Sequence, residues 1–397
     1  MSYFGSFKLS DDSISQAPSG ALRVAQLTTL HDGKILNSDE PELYSIAGTG
    51  TGAFALNKYN MSVSGGQYLV RQTSHYFVYS AGKPQVVEHT FDNFQTEAGV
   101  VKRIGYFSSN AVAPFDTTKD GFWLEDDGIT KRMIVSRAGV ETFNIPITAW
   151  DNYALISGYN WANFTVFFWD FLWLGGAVLR LWVKTDQGFV LAHSIKHAGN
   201  FTDVMMLSPN QPVRYEIRSS TGTGSLRYIC SQVASEGSIS ESGKSISVHN
   251  LPASPVAVSA IGSNYVLCAV RKLATHRDTP IKVNSIGCIN LGTADNGFLS
   301  LYKNPTMTGG TLTYVNSTDG KFQFSRNTNS ALLVTAGSGR ALVTVPVSAS
   351  GIGYPLDLDF LSFLGSSIAD VMDEYVLVYS PVTATQSVVG IINLKQY

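Results

Sequence analysis

From about residue 56 onward, apolar side chains recur at every second position in short runs separated by turn residues. Alternation of this kind marks strands with one face buried. It predicts strands over 67–71, 75–79, 86–91, 100–107, 122–125 and 129–136, and again over 203–207, 213–218 and 226–233. Turn signals arrive roughly every ten residues, the spacing of an all-β sandwich.

The stretch 161–183, WANFTVFFWDFLWLGGAVLRLWV, is almost wholly apolar. A membrane-spanning helix needs roughly 20 apolar residues without a central charge, whereas Asp170 lies in the middle and Arg180 near the end. Aromatic and β-branched residues dominate before Gly175–Gly176, and they suit a pleated surface. After the glycines, Leu179 to Lys184 alternates cleanly, and Asp186–Gln187–Gly188 turns into a return strand. The segment is therefore expected as a strand buried on both faces, a glycine break and a hairpin.

Residues 1–35 are mostly polar, with little periodicity, and are expected as an extended arm outside the domain cores. On that reading, deleting them leaves thermal stability nearly unchanged. SIAGTGTGA (45–53) is expected as a linker. The Ser/Gly/Glu-rich SEGSISESGKSIS (235–247) separates a first β domain, 54–247, from a second, 248–397. The second domain repeats the pattern at 256–261, 265–270, 281–289, 297–302, 311–315, 321–324, 331–335, 341–347, 375–380 and 388–394. One amphipathic helix is expected over 358–374, with Leu358, Leu361, Phe363, Leu364, Ile368 and Met372 on its apolar face. The fold class is thus all-β: two antiparallel, jelly-roll-like β-sandwich domains, an N-terminal arm and one short C-terminal helix.

Composition narrows the partners. The net charge is −2, which provides no basic field for nucleic acid. Only 15% of the 397 residues are charged, against about 25% in an average domain. Such a surface is consistent with contacts to other copies or partners, and equally with one rich in Ser, Thr, Asn and Gly. Three cysteines, Cys230, Cys268 and Cys288, are expected as unpaired thiols of a chain made in a reducing compartment. The N-terminus carries no pattern of a signal peptide.

Catalytic patterns are weak. His193 and His197 lie four apart but at a strand end, where a hydrogen-bonding role is expected rather than metal binding. Glu125, Asp126 and Asp127 precede Gly128 and read as a tight turn. Gly48, Gly50 and Gly52 lack the spacing of a phosphate loop. Arg180, Trp182 and Lys184 share a strand face, either a stacking platform for sugars or nucleic acid or, as favoured, an ordinary outer face with Trp182 covered by another strand or subunit. No catalytic, cofactor-binding or metal-binding residue is assigned, and no cofactor is expected.

Several segments occur together in order: RQTSHYFVYSAGK (71–83), KRIGYF (102–107), DGFWLE (120–125), DFLWLGG (170–176), LRLWV (179–183), NQPVRYEI (210–217) and ICS (229–231). With NGFLSLYKNPTMTGGTLTYVN (296–316) and YVLVYSPVTATQSVVGIINLKQ (375–396), the chain resembles structural virion proteins of tailed bacteriophages. The resemblance spans about 60–397. It implies a non-enzymatic head-decoration, head-fibre or tail-associated protein, made in the host cytoplasm and resident in the virion. Its expected partners are copies of itself, as a trimer, and other virion proteins; no nucleic acid and no membrane are expected. The alternative is a carbohydrate-binding module for host surface glycans, with Trp182 as its platform.

Overall fold

The computed structural model describes residues 16–18, 22–36, 38–39, 43–109, 119–176, 178–239, 243–291, 296–348, 352–355, 363–382 and 386–397. The chain divides into two compact units, Met1–Ser240 and Glu241–Tyr397. Both are antiparallel β-sandwiches, and the protein is all-β in class.

The first unit contains β1 (Leu27–Lys34), β2 (Tyr44–Gly48), β3 (Thr51–Ala55), β4 (Lys58–Val63), β5 (Tyr68–Thr73), β6 (Gln85–Asp92), β7 (Val100–Ser108) and β8 (Asp120–Asp126). β9 (Lys131–Arg137), β10 (Val140–Pro146), β11 (Thr165–Leu172), β12 (Val178–Thr185), β13 (Gly188–Lys196), β14 (Val213–Ser219) and β15 (Gly224–Glu236) complete it. One sheet runs β13-β12-β11-β6-β15-β4-β3, with β1 also on β15. The other runs β10-β9-β8-β7-β14-β5-β2.

The tryptophan stretch forms β11 and the β12–β13 hairpin, as its pattern predicts. Its alternation decides which side chains enter the core. Phe167, Trp169 and Phe171 point inward, and Phe171 meets Tyr106 and Phe122 of the facing sheet at 5.7 and 5.1 Å between ring centroids. Phe168 and Asp170 point to the outer face and are buried there too. Gly175 and Gly176 take φ of 88° and 156°, a conformation open to glycine, and carry the chain from one strand to the next.

Four expectations change. The arm is not outside the core over its described residues: β1 pairs along β15, His31 and Ile35 are buried, and Gln16–Ala17 is also buried. Its polar side chains find partners inside the sandwich, so the backbone ladder can form without an apolar stripe. The expected linker at 45–53 is β2 and the start of a β3–β4 hairpin. Its tight turn places Leu56 and Asn57 at positive φ. The segment 75–79 is a buried loop rather than a strand, and 203–207 is a loop that buries only Met205 and Met206. Finally, 358–362 lies outside the described residues, and 363–374 forms isolated bridges and turns instead of a helix. There Gly365, Ser366 and Ser367 interrupt the helical pattern, while Leu364 and Ile368 are buried.

In the second unit one sheet contains Lys244–His249, Gln386–Gln396, Ile281–Asn290 and Ile352–Pro355. The other is centred on Tyr265–Lys272, Tyr375–Pro381, Gly297–Lys303 and Arg340–Val347. Its core is mostly aliphatic, including Val248, Leu267, Val283, Leu301, Leu377, Ile392 and Leu394. Among the described residues, no helix is long and apolar enough to cross a membrane.

Candidate functional site

Strands buried on both faces can hold charges only if those charges are paired. The first unit has such a row on the outer side of its β7–β8–β14 sheet. Register places Arg103 of β7 directly between Glu125 of β8 and Glu216 of β14. Arg103 Nε donates to Glu125 at 2.5 Å and Nη1 to Glu216 at 2.9 Å. The other Glu216 oxygen accepts from Arg214 Nε at 2.7 Å, and Arg214 Nη1 donates to Gln72 at 2.5 Å.

Glu216 is completely buried. Burial alone would raise its pKa, but Arg214, Arg103 and Lys119 outweigh it and hold the carboxyl below its ordinary range. Beside the row, Phe107, Trp123 and Ile134 form a buried apolar cluster. Gly105 lies across from both Trp123 and Arg214. A Cβ there would fall 2.6 Å from Trp123 Cα, so only glycine permits this approach.

A second row lies on the outer side of the other sheet. Asp170 and Arg180 are directly paired across β11 and β12. Arg180 grips both carboxylate oxygens, at 2.9 and 2.5 Å, and Trp182 Nε1 donates to Asp170 at 3.2 Å. The N-terminal segment closes this row. Arg23 reaches Asp170 at 2.6 Å and Glu236 at 2.7 Å, and Arg180 donates to the Gln16 carbonyl at 2.7 Å. Trp182 is 2% exposed and stacks on Phe168. It therefore presents no open ring face, which overturns its reading as a sugar platform. Arg180 is buried with it, and of the three residues only Lys184 is exposed.

Between the sheets, one end of the core is polar. Arg71 is wholly buried, 3.6 Å from the Tyr59 ring centroid and 4.5 Å from that of Tyr44, and it pairs with Asp39. Nearby, His31 Nε2 lies 3.1 Å from Ser231 Oγ and His89 Nδ1 3.2 Å from Tyr215 OH. Burial pushes the His31 pKa down to about 4, with Asp32 opposing. It pushes His89 down to about 3, with His31 adding to the effect.

The other candidates resolve simply. His193 Nδ1 lies 3.0 Å from the Asp151 carboxylate, while His197 stacks on Phe201. Among the described residues no group of three or more His, Cys, Asp or Glu side chains is placed to hold a metal. Asp127 Oδ1 accepts from the Ile129 and Thr130 amides and Asp126 Oδ1 from that of Gly128, as a turn requires. Glu125, in contrast, belongs to the Arg103 row and not to the turn. The sequence reading missed that row. Its visible signal was two or three charges within each of β7, β8 and β14. Gly48, Gly50 and Gly52 fall in β2, the following turn and β3. No disulfide joins the three cysteines, and Cys268 and Cys288 are buried.

No family model matches the chain, and no curated protein matches it. Solved structures show distant likeness. A protein of unknown function from Shewanella oneidensis MR-1 aligns at 8% identity, covering 56% of this chain and 92% of its own, with a TM-score of 0.37. The Bacillus licheniformis β-glucanase aligns at 12% identity, covering 51% and 96%, with a TM-score of 0.34. Arcelin-5, a lectin-like defense protein from Phaseolus vulgaris, aligns at 11% identity, covering 54% and 100%, with a TM-score of 0.35. None of these likenesses carries over to individual residues of this chain.

Proposed function

We propose that the chain is a non-enzymatic structural component of a tailed-bacteriophage virion, working in copies of itself on the head or tail. One observation carries this reading. The segments that resemble phage structural proteins supply Gln72, Arg103, Glu125, Arg214 and Glu216, and these five side chains form a single buried hydrogen-bonded row. A second pair of those segments supplies Asp170 and Arg180, again as mutual partners. The residues that carry the resemblance therefore hold sheets together. A glycosidase divides its two carboxyls between a raised and an ordinary pKa; Glu125 and Glu216 instead share one guanidinium, and Glu216 is held low.

Mass spectrometry and immunogold labelling of density-purified phage particles test the proposal. The expected result is a constant copy number per particle, with the label confined to one place on it. Absence of the chain from infectious purified particles overturns it. Light scattering checks self-association separately: a trimer mass is expected, and a monomer mass at micromolar concentration removes the oligomer.

A further inference from the structure

The second unit holds a cavity of about 520 Å³, within the size range of ligand pockets. Arg271, Met307, Leu312, Tyr314, Gln323 and Glu374 line it. The sheet places them: Arg271 and Gln323 are direct partners across two paired strands, and Glu374 precedes the strand that flanks Arg271's on the other side. Arg271 Nε donates to Gln323 Oε1 at 2.9 Å, and the guanidinium lies 3.9 Å from the Tyr314 ring centroid. Tyr314 OH donates to Glu374 Oε1 at 2.5 Å. Met307 and Leu312 pack on the buried cluster of Val266, Leu332, Val334 and Val376 and supply apolar surface.

The loop that carries Leu312 and Tyr314 is fixed by Gly309. Its φ is 80°, and a Cβ there would fall 1.8 Å from the Ala331 carbonyl oxygen. The wall is therefore built by the fold.

Two kinds of atom remain to bind a ligand. Among the described residues, neither terminal nitrogen of Arg271 has a partner, nor does the second carboxylate oxygen of Glu374. The pocket offers donors and an acceptor side by side, with opposite charges that balance, above an apolar patch. A hydroxyl both donates and accepts, so neighbouring hydroxyls on a ring satisfy both groups while its C–H face lies on Met307 and Leu312. An anion would satisfy Arg271 and meet Glu374 unfavourably; an ammonium would do the reverse.

We propose that this pocket binds a neutral saccharide through Arg271 and Glu374. The site is distinct from the covered Trp182, and the proposal goes beyond the virion reading without depending on it. Saturation-transfer NMR on the full chain, with glucose, galactose, mannose, rhamnose and N-acetylglucosamine offered singly and succinate as an anionic control, tests it. At least one sugar is expected to show transfer with a Kd near ~1 mM, a binding energy of about 4 kcal/mol. Glu374→Gln and Arg271→Met are each expected to weaken that transfer at least about tenfold, a loss of about 1.4 kcal/mol. Glu374→Gln keeps the side-chain shape and covers the case in which Arg271→Met does not fold. Transfer from none of the five sugars overturns the proposal, as does transfer from succinate alone or binding unchanged in a folded Glu374→Gln. Incorporation of the Glu374→Gln chain into particles reads the virion proposal independently.

Discussion

The two sandwiches are built on different kinds of interior. In the first, aromatic rings fill much of the core, Arg71 sits among tyrosines, and charged rows run along the outer sides of both sheets. In the second the core is mainly Val, Ile and Leu. Its deeply buried cation is Lys272, whose ammonium donates to the carbonyls of Arg277 and Thr279. Aliphatic packing tolerates exchange among residues of similar volume. A buried charge requires its specific partner, and losing that partner is costly. The first unit is therefore the more exacting of the two.

The largest test of that contrast is Glu216→Ala, which strands Arg103 and Arg214 without their shared carboxylate. A loss of about 3–5 kcal/mol is expected in the first unit. Calorimetry should show its transition falling while that of the second unit stays in place; equal shifts in both would break the comparison.

Acid should separate the units next. His31 and His89 have native pKa values near 4 and 3, below the ordinary 6.5. The unfolded chain therefore takes up protons first, and stability falls as pH drops from about 6.5 toward those values. Through His31 alone the loss by pH 4 is about 3 kcal/mol. Denaturant midpoints at pH 7 and pH 4 measure it, and His31→Asn should flatten part of the dependence.

Removing Arg23 is a smaller change, because Arg180 still holds Asp170. Arg23→Ala is expected to cost about 1–2 kcal/mol in urea unfolding of the first unit. No change would return the N-terminal segment to the status of a free arm.

The smallest effect expected of a substitution at pH 7 belongs to the second unit. Burial pushes the Lys272 pKa down to about 7, against the opposing pull of Asp278 and Asp373. The unfolded chain then holds this proton more tightly between pH 7 and about 10.5, so stability should rise with pH across that window. Lys272→Met should abolish the rise and be neutral or stabilising by about 1 kcal/mol at pH 7.

Much of the fold was legible because its strands alternate and its turns carry Gly, Asp and Asn. The Trp169 strand and its hairpin are the clearest cases. β1 was not legible, because its buried positions include His31, which is satisfied by Tyr44 and Ser231 rather than by apolar contact. The helical pattern around Leu364 misled because the same spacing of apolar residues also serves a chain that turns back on itself. The charged rows were visible only as charges within strand segments. Pairing Arg103 with Glu125 and Glu216 needs strand register, which local pattern does not contain. The Arg271 pocket assembles from four separate segments and left no local signature at all.

β1 also bears on how the chain is made. His31 and its partner Ser231 are 200 residues apart in sequence. A ribosome adding roughly 5–20 residues per second needs about 10–40 seconds to travel between them. Throughout that interval β1 has emerged while the strand it pairs with does not yet exist. Closure of the first sandwich therefore waits for β15 to be synthesised, and the emerging N-terminus must stay out of other chains' sheets until then. Its polar, weakly patterned sequence suits that delay, because it offers little for another strand to bury.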